Sequence, residues 1–410
     1  MKKNSDISIL VVWQSLVVPT YRSFFYKLRL KTPWRIGMVA PSEFSELGFQ
    51  KVPCAPFKPP FSDGDSMSFA ATLRVTVKHL QVVIFHGLRR VVRTFFAQAS
   101  GRKVVFCVAE PYSPTALLVY LSCRLTLGRG FIFISFTCQN IKKDFALPLR
   151  MIQNFIFRRS KAIMALGEEQ KEVLKAHGYK GRCVSFPLWY NSDRFRPIPR
   201  KRALSELAGH IGKDLGFQGK KVVIGYAGLI GEQKGVSDLM AALEMFAAGS
   251  TNGVAFLVAG AGPIAESIEA RCRLLNEKGI AGHYLGPLPA DQMPAFMNAL
   301  DILVVPSRTQ RNWKEQFGRI IVEALACGVS VIGSDSGEIP VVVNNPERIF
   351  PEGDVLALNA RLQSLVELMA DEADKARLRE KAQQSVINRY SDTVTSERFE
   401  ENILNIIGDL

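Results

Sequence analysis

The run Asp301-Ile302-Leu303-Val304-Val305-Pro306-Ser307 leads into Trp313-Lys314-Glu315-Gln316-Phe317-Gly318-Arg319-Ile320-Ile321-Val322-Glu323-Ala324-Leu325-Ala326-Cys327-Gly328. The first part is short, continuously apolar and rich in β-branched residues, as expected of a strand buried on both faces. The second reads as a loop and then a helix opened by Gly318. The free N–H groups and dipole at such a helix start suit an anion. Glu315 lies just before the helix and Glu323 inside it, so both can face the crevice at the carboxyl ends of the strands. A carboxylate there can accept two hydrogen bonds from vicinal hydroxyls of a ribose or hexose. Taken alone, two glutamates at this spacing more commonly mark a solvated helix face.

Working outward, the same alternation runs through the chain. Ile7–Val12, Val104–Val108, Phe131–Phe136, Ala162–Leu166, Val222–Tyr226, Ala255–Ala259, Ile302–Val305 and Ser330–Gly333 are apolar runs separated by helical patterns. That order predicts an α/β fold of doubly wound parallel sheets. At 410 residues the chain exceeds one ordinary core, so two domains are expected. A polar, proline-punctuated crossing begins at Asn191 and includes Arg196-Pro197-Ile198-Pro199. The expected division is 1–195, 196–385, and a terminal helix over 386–410 that packs back on the first domain.

Composition narrows the class. An apolar fraction of 47% and a charged fraction of 22% are those of a globular protein. Seven cysteines without CxxC pairs argue against a disulfide framework and a zinc site, and fit a reducing cytoplasm. His79 and His86 could share a helix face, but no third ligand is near, so no metal site is expected. The apolar run Ile7–Val18 is stopped by Pro19 and lacks a small-x-small cleavage site. It is also shorter than the roughly 20 residues that span a bilayer, so a buried first strand is expected and no transmembrane helix. Residues 1–190 hold 28 Lys+Arg against 10 Asp+Glu, whereas the remainder holds 24 against 28. A basic half beside a near-neutral half suggests that the first half meets something anionic: a membrane surface, an anionic lipid-linked acceptor or nucleic acid.

The segment from Glu315 to Gly328 closely resembles the signature of the group 1 (retaining, GT-B fold) glycosyltransferases, a Glu, seven residues and a second Glu within FG…EA.A.G. The resemblance continues through Val331-Ile332-Gly333-Ser334-Asp335-Ser336-Gly337-Glu338-Ile339-Pro340, and back to Gly260-Ala261-Gly262-Pro263 and Leu285-Gly286. It implies two Rossmann-like domains facing across a cleft, with a nucleotide-diphosphate sugar as donor. Glu323 would bind the donor ribose and Glu315 the transferred sugar. Amides around Phe317 and Gly318 would lie near the donor's sugar and phosphates, with Gly260 and Gly262 forming a close glycine turn under the nucleotide. The turn Gly228-Leu229-Ile230-Gly231-Glu232-Gln233-Lys234-Gly235 matches a family turn that carries Arg after the glycine and Lys five residues later. Lys234 matches, to neutralise the diphosphate, but Leu229 replaces the arginine; Arg319 or Lys314 could substitute.

The first domain matches more loosely. Gln139 and Asn140 follow the strand Phe131–Phe136 and could orient donor sugar or acceptor, or simply cap a loop; Glu110 is a second candidate for acceptor contact. The implied reaction is transfer with retention to a glycan or lipid-linked acceptor, without an essential metal or cofactor, in bacterial surface polysaccharide synthesis. Stretches around Arg89-Arg90-Val91-Val92-Arg93 and Arg150–Arg159 mix arginines with large apolar residues, as helices lying on an anionic leaflet do, which would make a cytoplasmic protein peripheral to the membrane. No known nucleic-acid reading module is present. Asp63-Gly64-Asp65 imitates a metal-nucleotide DxD but reads as a turn. Gly260-Ala261-Gly262-Pro263-Ile264-Ala265 fits a loose dinucleotide fingerprint, without the acidic residue that NAD requires. A non-catalytic nucleotide-sugar or glycan-binding relative, a sugar-nucleotide epimerase and an NAD-dependent oxidoreductase are the alternatives.

Overall fold

The computed structural model describes residues 6–41, 43–44, 52–53, 66–69, 72–77, 80–99, 101–212, 214–217, 219, 222–247 and 253–408. Asp63–Asp65, Cys54 and His79 lie outside these. The chain forms two compact units, Met1–Pro187 with Asp392–Leu410, and Leu188–Ser391.

In chain order the first unit contributes β1 (Ile7–Trp13), β2 (Arg35–Pro41), β3 (Glu43–Phe44), β4 (Val52–Pro53), β5 (Ser66–Phe69), β6 (Thr72–Val77), β7 (Leu80–Phe85), β8 (Arg102–Val108), β9 (Ile132–Thr137), β10 (Ala162–Ala165) and β11 (Arg182–Ser185). Seven of them form one sheet in the order β11-β10-β9-β8-β1-β2-β5; β3 pairs with β4 and β6 with β7 in antiparallel ribbons. Within the large sheet every pairing is parallel. Central strand β1 is buried along its whole length, which is why its sequence is continuously apolar rather than alternating. Helices Leu88–Ala97 and Pro114–Leu127 lay Val92, Phe95, Phe96, Val119 and Cys123 on Val105 and Cys107 of the sheet.

The second unit holds β12 (Val222–Ala227), β13 (Val254–Ala259), β14 (Ala281–Tyr284), β15 (Ile302–Val305), β16 (Ser330–Ser334) and β17 (Ile349–Phe350), in the order β14-β13-β12-β15-β16-β17 and again all parallel. The order reverses direction between β12 and β15, the switch point at which open α/β sheets bind ligands. Asp301, just before β15, ties the sheet to the helices beneath it. It is buried and ion-paired with Arg200, with Lys375 at 3.0 Å and with Arg379 at 3.7 Å, and it accepts the Val223 N–H at 2.8 Å.

Both unit boundaries differ from the expected ones by a few residues. Trp189 and Tyr190 are buried in the second unit, where the Tyr190 N–H donates to the Tyr390 carbonyl at 3.0 Å, so the division falls after Pro187 instead of at 195. At the other end, helix Glu372–Tyr390 runs unbroken past residue 386, and the terminal helix is Asp392–Gly408. The terminal helix packs in the first unit, where Asp392 pairs with Lys27 at 2.9 Å and Phe399 meets Phe24 and Phe106. His86 sits in a turn ahead of helix Leu88–Ala97, not on a helix face.

Candidate functional site

The carboxyl ends of β12, β13 and β15 gather most of the donor-site residues expected from the sequence. After β12 the chain turns at Gly228, and after β13 at Gly260 and Gly262. These turns are laced together: the Gly228 N–H donates to Ala259 O at 3.1 Å and the Ile230 N–H to Ala261 O at 2.9 Å. The approach is so close that a Cβ on Gly260, whose φ is +143°, would fall 1.8 Å from Gly228 O. One on Gly262 would fall 2.2 Å from Ile230 O. Glycine is therefore a packing requirement here, and it leaves backbone bare on the ligand side. Leu229, at the position of the family's arginine, is half-buried, and its carbonyl accepts the Tyr226 hydroxyl at 2.7 Å. The turn is intact although its usual cation is absent.

Gly235, with φ +64°, ends the short 3-10 helix Glu232–Lys234, and a Cβ there would meet Pro306 O at 1.7 Å. That contact presses the Lys234 turn onto the end of β15. The Lys234 ammonium lies 2.7 Å from Glu315 Oε2 and 4.6 Å from the centroid of the Trp313 ring. Carboxylate and aromatic face together fix where the cation sits. The Ser307 hydroxyl donates to the same Glu315 oxygen at 2.9 Å, and the Glu338 N–H reaches the Glu315 carbonyl at 3.3 Å. Glu315 is thus a buried residue whose carboxylate oxygen takes both Lys234 and Ser307 and whose backbone carbonyl is held by Glu338.

Gly318, at φ +75°, is the N-cap of helix Arg319–Ala326, and a Cβ there would strike Ile321 Cδ1 at 2.7 Å. Phe317 is buried and meets Tyr390 edge-on with ring centroids 5.3 Å apart, which anchors the loop at the helix start. One turn in, Glu323 pairs with Arg319 at 3.2 Å. Burial pushes the Glu323 carboxyl above the usual range, with Arg319 and Arg194 acting in the opposite sense. Arg319 is therefore committed to Glu323 more than to any replacement for the cation missing at Leu229.

Sequence reasoning passed over Ser307, Trp313 and Arg194 as functional side chains. Arg308 was also missed: it follows β15, donates its N–H to Gln233 O at 2.9 Å, and grips Asp238 with its guanidinium. A hydroxyl, a ring and Arg308 shortly before the glutamate motif are the available signals; Arg194 lies far earlier in the chain and carries none.

In the first unit the expected residues also gather, around Glu110. Its carboxylate accepts the Thr137 hydroxyl at 2.7 Å, the Cys138 N–H at 2.8 Å and the Cys138 thiol at 3.1 Å. Burial raises its pKa; the bonds from Thr137 and Cys138, and the charge of Lys143, pull the other way. Gln139 donates its side-chain N–H to Ile141 O at 2.8 Å, and Asn140 donates to Glu169 Oε2 at 3.3 Å. Both amides are buried and organise the loop after β9. The sequence left open whether these two residues face a ligand or cap a loop; the bonds found are those of a loop cap.

Residues 210–385, within the second unit, match the family described as glycosyl transferases group 1. The 2-deoxystreptamine N-acetyl-D-glucosaminyltransferase of Streptomyces fradiae is 33% identical over 168 residues, 40% of this chain and 37% of that one. The GDP-mannose-dependent alpha-(1-6)-phosphatidylinositol monomannoside mannosyltransferase of Mycobacterium tuberculosis is 29% identical over 174 residues, 42% of each chain. The matched stretch thus spans less than half the length of these relatives. A Rickettsia africae glycosyltransferase superposes with a TM-score of 0.70 at 17% identity, covering 99% of this chain and 100% of that one. Anabaena Alr3699/HepE in complex with UDP does so with 0.66 at 16%, covering 97% and 100%. These neighbours show the fold, two Rossmann-like units of the GT-B class.

Proposed function

We propose that the protein transfers a sugar from a nucleotide-diphosphate sugar to a hydroxyl of a glycan or lipid-linked acceptor, with retention at the anomeric carbon, in building bacterial surface polysaccharide. The observation that carries this reading is the Lys234–Glu315–Ser307 cluster beside the Gly318 helix start. It sets a fixed cation and an anion-binding helix end next to a carboxylate able to hold sugar hydroxyls. Glu323 would accept the ribose hydroxyls. In the transfer the anomeric C–O bond to the diphosphate breaks, the diphosphate leaves with the electron pair, and the acceptor oxygen bonds to that carbon from the same face as its proton passes to the departing diphosphate oxygen. Lys234 and the amides at Phe317–Arg319 would stabilise the charge growing on the diphosphate, so the reaction as proposed needs no metal or cofactor. GDP-mannose in the name of the mycobacterial enzyme and UDP-glucose in a complex of the Anabaena protein make guanosine and uridine diphosphate sugars the first to try.

Calorimetric titration of UDP, GDP and ADP and their sugar conjugates into wild type and Glu323→Ala tests the donor site. Selective binding by wild type is expected, weakened about tenfold or more in the variant by loss of a charge-assisted hydrogen bond. If wild type binds no nucleotide, the absence of a cation at Leu229 has removed the donor, and a non-catalytic glycan-binding role replaces this reading.

The acceptor side rests on the first unit's surface. Leu118, Leu121 and Leu125 form an exposed stripe on helix Pro114–Leu127, and Leu147 and Met151 another on the adjacent helix Leu147–Arg159. Arg129, Arg150, Arg158 and Arg159 are exposed beside them. Apolar residues at helical spacing among arginines suit a peripheral contact with an anionic leaflet. Among the described residues no helix is long and apolar enough to cross a membrane. Co-sedimentation with vesicles containing anionic lipid should capture the protein at low salt and lose it in Leu125→Asp/Met151→Asp; equal capture by neutral vesicles would refute the electrostatic part.

A further inference from the structure

The second unit holds a cavity of about 220 Å³ bordered by the end of helix Arg319–Ala326, the start of β16, the Asn344–Arg348 turn and the middle of helix Glu372–Tyr390; Leu325 in its lining lies two residues past Glu323. Its lining includes apolar Leu325, Val331 and Leu378. It also includes Arg348, Lys381 and the carboxamide residue Asn344. Among the described residues, neither the Arg348 guanidinium nor the Lys381 ammonium makes a hydrogen bond or ion pair.

That is unusual for Arg348, which is half-buried. Burial pulls its pKa down, Glu347 acts against this and Arg361 with it, yet no carboxylate comes within pairing distance. A half-buried guanidinium that reaches solvent with no close carboxylate is free to take an anionic partner. The nearby helix ends do not supply that charge, because their own amides cap them: Gly328 N–H donates to Leu325 O at 2.9 Å and Asn344 N–H to Pro340 O at 3.0 Å. Elsewhere in the same unit the buried charges are paired, as at Asp301 and Glu315.

We propose that this cavity binds a small phosphate-bearing anion at a site separate from the donor. A planar guanidinium and a mobile ammonium facing one space match a phosphate group, which carries about −1.5 to −2 charge at neutral pH. The volume lies below the roughly 300–1,000 Å³ of pockets for larger ligands, which limits the body of the molecule to a few carbons or a single sugar. The apolar lining residues would receive the face of such a body. None of the lining residues belongs to the Lys234, Glu315 or Glu323 groups, so occupancy here does not compete with the donor for side chains.

The test is calorimetric titration of inorganic phosphate and of glycerol 3-phosphate, at fixed ionic strength, into wild type, Arg348→Gln, Lys381→Ala and Lys234→Ala. Saturable binding to wild type and to Lys234→Ala is expected, weakened about tenfold or more in each of the other two. Lys381 is exposed, so its variant keeps the test valid should Arg348→Gln fold poorly. Tighter binding of the ester assigns the site to a phosphorylated metabolite, and equal binding to free phosphate. The proposal is overturned if binding does not saturate, or if it is lost in Lys234→Ala and untouched in Arg348→Gln and Lys381→Ala.

Discussion

The two units share an architecture and differ in how they treat buried charge. In the second, carboxylates are matched with cations: Glu315 with Lys234, Glu323 with Arg319, Asp238 with Arg308, and Asp301 with three partners. In the first, the surplus of basic residues lies largely on the surface, and although Asp392 is paired with Lys27, Glu110 is held by a hydroxyl, an amide and a thiol in place of a cation. On the function proposed above, the second unit offers an anion cations already in position, whereas around Glu110 the first sets its internal polar groups against one another. This explains why the family signature is sharp in one half and faint in the other. A charged donor of fixed chemistry demands particular side chains at particular strand ends, while a loop that satisfies itself can do so in many ways.

The comparison breaks most visibly at Asp301. Replacing it with Asn keeps an acceptor for the Val223 N–H but leaves Arg200, Lys375 and Arg379 crowded without their counter-charge. Removing one member of a buried ionic group costs about 3–5 kcal/mol. Urea denaturation of Asp301→Asn should show a loss of that order; a change below about 1 kcal/mol would mean that water, not Asp301, already satisfies these cations.

Much of the fold was legible in the sequence because buried parallel strands announce themselves. β1, β8, β12, β13 and β15 are unbroken apolar runs, and each was placed within a residue or two. Strand Arg35–Pro41, apolar and almost wholly buried, is not singled out although it carries the same signal, whereas other strands have another composition. Ser66–Phe69 alternates Ser with large residues, and the edge strand Arg182–Ser185 is half exposed, so neither gives a continuous signal. At the candidate site, Glu315 and Glu323 were readable from spacing within one motif. Ser307, Trp313 and Arg308 were not, because their roles depend on where β15 ends relative to a turn some 70 residues earlier. The Asp301 hub joins residues 101 and 74 positions away, a kind of contact that periodicity cannot express.

A smaller effect tests the first unit's side of the comparison. Burial raises the folded-state pKa of Glu110, so the folded protein holds that proton more tightly than the unfolded chain does. The contribution of this group is therefore most favourable at acid pH and is lost as pH rises from the ordinary carboxylate value, about 4.3, through the raised folded value. Glu110→Gln is neutral at every pH, and its carbonyl can still accept from the Thr137 hydroxyl or the Cys138 N–H. Stability curves of wild type and variant, measured by thermal unfolding across pH 4 to 8, should then separate with rising pH, the variant gaining on wild type. Parallel curves would show that the three donors, with Lys143, fully compensate the buried charge. In that case Glu110 would belong with Glu315 among matched carboxylates, and the contrast between the units would rest on the surface alone.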